Sequence, residues 1–93
     1  MTNIKEKKLA LQIITPDKEL FNEEGIDHIS FRLVDGYLIS IYPQHAPILA
    51  VTSTGPITYF QKDAKHDFYI SSGIVEVKDN IVSIYTEREF KKK

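Results

Sequence analysis

The chain of 93 residues contains no cysteine, so a disulfide frame and a thiol nucleophile are both excluded. The absence of disulfides fits a reducing compartment. Its four glycines are scattered, and no glycine-rich loop exists that would cradle a phosphate. An excess of charge is missing too. Twelve basic side chains against thirteen acidic ones leave a net charge of −1, whereas a nucleic-acid or membrane-surface binder shows a basic surplus. The opening stretch MTNIKEKKLALQIIT carries only a short apolar run broken by Gln12, which is too weak for a signal peptide and too short to span a bilayer. A chain this short holds one core. These absences lead to an expectation of one cytoplasmic domain with no nucleic-acid partner.

What the sequence does contain is period-two alternation, which marks half-buried strands. Leu9, Leu11 and Ile13 alternate with Ala10 and Gln12 until Thr15-Pro16-Asp17 ends the run, because Pro16 lacks a ladder donor. Lys18 to Phe21 reads as a short return strand. Ile29, Phe31 and Leu33 alternate with His28, Ser30 and Arg32, and Asp35-Gly36 makes a turn before Tyr37 to Ile41. Ile48 to Thr52, Ile57 to Gln61, Phe68 to Ser71, Val75 to Lys78 and Ile81 to Thr86 follow, with Lys62 to Asp67 as a polar connection and Asp79-Asn80 as a tight turn. Eight to ten short strands with frequent turn signals predict an all-β sandwich or small barrel.

The chemistry-bearing residues do not assemble a nucleophile, a base and an orienting group. His28, His45 and His66 are far apart, with no partner at metal-ligand spacing. His28 and His66 are expected to face solvent. Glu23-Glu24 and Asp27 read as solvated charge in a loop. Ser71-Ser72-Gly73 reads as a strand-end bend in which Gly73 permits close backbone approach. Neither an enzyme nor a cofactor or metal site is expected.

One segment stands apart. In YPQHAPILA, Pro43 and Pro47 each fix φ and remove a donor, so residues 42–47 cannot pair as a central strand. They predict a rigid corner where the chain passes from one sheet to the other. Such a corner presents Tyr42, Gln44 and His45 at fixed geometry, which lowers the ordering cost of binding.

Three stretches, LQIITPDKELF, IYPQHAPILA and FYISSGIVEVKDNIVSIYT, resemble in order and spacing the amino-terminal domain of the epsilon subunit of F-type ATP synthases. The resemblance runs from about Leu9 to Thr86. Ser40, Gln44 and Ser72 stand where the family motifs carry glycine, and Leu38 stands where many members carry an acid. The resemblance implies a ten-stranded β-sandwich, non-catalytic, bound to the gamma subunit in the central stalk and standing on the membrane c-ring. There it couples proton- or sodium-driven rotation to ATP synthesis, peripheral on the cytoplasmic face of the membrane and without a cofactor. It also implies partner contacts at the ring-facing loop, Asp35, Gly36, Tyr37 and Leu38, and near gamma or the ring at Tyr42, Gln44 and His45. Relatives continue into a helical hairpin; after Thr86 only Glu87 to Lys93 remain, too few for two packed helices. The expected organisation is a flexible extension over 1–8, a sandwich over 9–86 and a short charged tail over 87–93. A second reading is a free-standing binding module using Tyr59 and Tyr69 as an aromatic platform.

Overall fold

The computed structural model describes residues 7–87. Within them the chain forms nine β-strands and no helix. They are β1 (Leu9–Ile14), β2 (Glu19–Ile26), β3 (His28–Arg32), β4 (Leu38–Ile41), β5 (Ile48–Thr52), β6 (Gly55–Gln61), β7 (Ala64–Ile70), β8 (Gly73–Lys78) and β9 (Ile81–Thr86). A five-stranded sheet has the order β2-β1-β9-β8-β5 and a four-stranded sheet the order β4-β3-β6-β7. All ladders are antiparallel except one: β1 and β9 run parallel in the middle of the larger sheet, Leu11 opposite Val82 and Ile13 opposite Ile84.

The alternation read in the sequence is what closes the sandwich. Leu9, Leu11 and Ile13 of β1, Val75 and Val77 of β8, and Val82 and Ile84 of β9 point inward from the larger sheet. Ile29 and Phe31 of β3, Ile41 of β4, Ile57 of β6 and Ile70 of β7 meet them from the smaller one. Aliphatic side chains dominate this core, and Phe31 is its only fully buried aromatic among the described residues. Buried polar groups are satisfied. The Thr52 hydroxyl accepts from the Gly73 N–H at 3.0 Å and donates to the Gly73 carbonyl at 3.2 Å. The Thr86 hydroxyl reaches the Ser71 carbonyl at 2.9 Å.

Among the described residues nine strands are present where ten were expected. Two polar stretches that read as loops are strands. Glu23 and Glu24 belong to β2, which is eight residues long rather than four. Its far end bulges: Leu9 pairs with Ile26 but Leu11 with Glu23, and Gly25 takes φ +73°, the conformation that a glycine bulge requires. The Lys62 to Asp67 connection is also shorter than expected. Lys62 and Asp63 form the whole turn with φ of +53° and +65°, a type I′ geometry whose twist suits a tight hairpin, and β7 starts at Ala64. Residues 1–6 of the expected extension and 88–93 of the expected tail lie outside the described residues.

Candidate functional site

Residues 42–47 join β4 of the smaller sheet to β5 of the larger one, the crossing that the two prolines predict. Gln44 sits at φ +70°, in the left-handed region that a Cβ disfavours. The amide of Asn80, from the β8–β9 turn, holds it there. Gln44 N–H donates to Asn80 Oδ1 at 2.7 Å, and Asn80 Nδ2 donates to Gln44 Oε1 at 3.0 Å. His45 is half-buried, with Nδ1 2.7 Å from the Ala46 carbonyl oxygen. A carbonyl only accepts, so Nδ1 carries the proton, and in the neutral ring Nε2 is left as an acceptor. Lys7, Gln44, His45, Pro47, Asp79 and Asn80 line a shallow depression of about 400 Å³ here.

Tyr42 is exposed and stacks on His28, with ring centroids 4.7 Å apart, and His28 stacks in turn on Phe60 at 4.1 Å. His28 therefore lies on the outer face as expected, but as the half-buried middle ring of three rather than as a free surface group.

The other expected contact residues are Asp35, Gly36 and Tyr37 of the β3–β4 turn and Leu38, which opens β4. Gly36, at φ +98°, donates its N–H to the Leu33 carbonyl, and the Asp35 carboxylate accepts from the Tyr37 N–H at 3.2 Å. Arg32 Nη1 donates to the Gly36 carbonyl at 2.7 Å. This leaves Tyr37 71% and Leu38 61% exposed. The turn and the corner stand at opposite ends of β4, Leu38 and Tyr42 being about 13 Å apart at strand rise. The seven residues thus make two surfaces, not one.

Two features escaped the sequence. One is Asn80, which read only as a turn residue. The other is a row across the outer face of the larger sheet, where Val51 of β5 pairs with Ile74 of β8, Ile74 with Tyr85 of β9, and Tyr85 with Ile14 of β1. Val51, Ile74 and Tyr85 are each more than 40% exposed, and Leu49 on the same face is 75% exposed, a contiguous exposed apolar row. Only the strand register reveals it.

Lys8 donates to Asp27, which holds the Asp27 carboxyl below the usual carboxylate range. Burial, and then the charge of Glu23, push the Tyr59 phenol up. Tyr59 packs against Phe21 and His66. It pairs with His66 while Tyr69 pairs with Pro56, which places the two tyrosines on opposite faces of the sheet. The aromatic platform expected from them does not form. Among the described residues no group of histidine and carboxylate side chains is placed to hold a metal ion, and no helix is long and apolar enough to cross a membrane.

The sequence matches the family model of the ATP synthase Delta/Epsilon chain, beta-sandwich domain, over residues 8–91. The chain belongs to this family. It is 33% identical over 82 residues to the ATP synthase epsilon chain of Nitratidesulfovibrio vulgaris (strain DP4), covering 88% of this chain and 60% of that protein. It is 32% identical over 80 residues to the epsilon chain of Leptospira borgpetersenii, covering 86% and 61% respectively. The chain therefore spans about 60% of the length of the curated relatives it matches. Among solved structures, a chain of the Tetrahymena thermophila mitochondrial ATP synthase central stalk and c-ring superposes with a TM-score of 0.72 at 25% identity, over 92% of this chain and 68% of that one. A chain of the Euglena gracilis mitochondrial enzyme superposes with a TM-score of 0.79 at 21% identity, over 96% and 56%, a likeness of fold. In this chain the corner is a left-handed site filled by a glutamine clamped by Asn80.

Proposed function

We propose that this chain is a non-catalytic subunit of the central stalk of ATP synthase, joining the gamma subunit to the c-ring so that ion-driven rotation reaches the catalytic chains. The observation that carries the proposal is the family match, which runs through all nine strands. A two-layer sandwich suits the task, because interdigitated sheets deform little under load. The separation of the expected contact residues supports a two-sided role. The exposed turn with Asp35, Gly36, Tyr37 and Leu38 faces the ring, and the corner with Tyr42, Gln44 and His45 faces gamma. The apolar row through Val51, Ile74 and Tyr85 is a further contact surface within the complex. Membrane association is peripheral, on the cytoplasmic face, and comes through the complex.

The test is isolation of the tagged chain from its own cells in mild detergent, followed by mass spectrometry. Gamma and c subunits in fixed proportion to the chain are expected. Recovery of the chain with no ATP synthase subunit overturns the proposal.

A further inference from the structure

We propose that Asn80 is a positioning residue for the 42–47 corner, acting through Gln44 to set where Tyr42 and His45 stand; the inference rests on the docking role proposed above. The corner has few ties of its own, because Pro43 and Pro47 donate nothing to the backbone network. Gln44 occupies φ +70°, a conformation that a residue with a Cβ leaves unless neighbours hold it. Both amide bonds of the holding pair go to one side chain 36 residues away in sequence. That side chain is itself well anchored. Asp79 and Asn80 take φ of +54° and +66°, a type I′ turn joining β8 and β9, and the Asn80 carbonyl accepts from the Ala10 N–H of β1 at 2.9 Å.

The position of the corner is thus referred to three strands of the larger sheet rather than to the loop's own preferences. If Gln44 relaxed to a negative φ, the chain direction on either side would change. Tyr42 would lose its place beside His28, and His45 its bond to the Ala46 carbonyl. A glycine at position 44 would adopt the left-handed conformation unaided; glutamine adopts it against the cost of its Cβ, and the clamp offsets that cost.

Asn80→Gly separates the clamp from the turn, since Asp-Gly is a favoured type I′ pair and removes only the side chain. The melting temperature is expected to stay within about 2 °C, while deuterium exchange of the Gln44 amide accelerates about tenfold or more. Affinity for a gamma-containing F1 complex stripped of this chain is expected to fall several-fold. Asn80→Asp, which keeps the acceptor for the Gln44 N–H, is expected to recover much of the protection. Unchanged exchange in Asn80→Gly overturns the proposal. So does faster exchange with unchanged affinity, provided that His45→Ala weakens binding in the same assay. If His45→Ala also leaves affinity intact, the docking role fails, and the clamp then stands or falls on the exchange data alone.

Discussion

A methyl group on Gly73 would stand 2.4 Å from the carbonyl oxygen of Tyr85. The obstacle is backbone and cannot rotate away. On its other side Gly73 is bonded through both N–H and carbonyl to the buried hydroxyl of Thr52, so β8 has no direction in which to yield cheaply. Gly73→Ala is therefore expected to destabilise the fold by about 1–3 kcal/mol, the usual range for overpacking. Urea denaturation measures it, and an unmoved midpoint would show that β8 and β9 separate without cost.

The corner and the core should answer differently to truncation. Phe31 is buried at the centre of the sandwich, and Phe31→Ala is expected to lose roughly 3–5 kcal/mol. His45 bonds only its neighbour's carbonyl among described contacts, so His45→Ala is expected to cost about 0.5 kcal/mol or less while weakening assembly. Comparable losses for the two variants would make His45 a core residue rather than a contact residue.

The apolar row gives a second separation of stability from assembly. Ile74 and Tyr85 are 48% and 44% exposed, so Ile74→Glu and Tyr85→Glu should each shift the stability of the isolated chain by only about 0.5 kcal/mol. Both are expected to reduce incorporation into the complex several-fold, as read by co-purification. Normal incorporation of both variants would remove the row from the contact surface.

Sequence legibility followed burial. β5 and β9 lie where the apolar runs Ile48 to Thr52 and Ile81 to Thr86 place them, because each is bounded by turn residues and sends side chains into the core. The first half of β7 was hidden because Ala64, Lys65, His66 and Asp67 are exposed on both faces, and because Lys62 and Asp63 build a type I′ turn without glycine. Glu23 and Glu24 were hidden for a related reason: a bulge at Gly25 breaks the period. The corner was legible from its prolines, which act locally. Its tie to Asn80 was not, since that bond depends on how the β8–β9 turn stacks against the β4–β5 crossing.

Acid should act partly through Asp27. Lys8, bonded to it, lowers its folded pKa below the unfolded value of about 3.9. The stabilising contribution is thus complete above that value and is lost as pH falls through the lower folded pKa. Asp27→Asn is expected to flatten this part of the stability curve, and added salt should shrink the difference between variant and parent, because the pair is exposed. Urea midpoints between pH 2 and pH 6 provide the check; parallel curves for variant and parent would mean the pair contributes nothing.

The parallel seam between β1 and β9 sets the order in which the larger sheet can close. Gln12 and Ser83, partners across it, are 71 residues apart in sequence, so the middle of the larger sheet is completed only when β9, the last of the nine described strands, has been made. Before then β1 and β8 each display an unpaired inner edge, and the loop-closure entropy of the whole domain is still unmet. A nascent chain stalled before Ile81 is accordingly the species most exposed to edge-to-edge aggregation, and the length at which a holding chaperone should bind it most strongly.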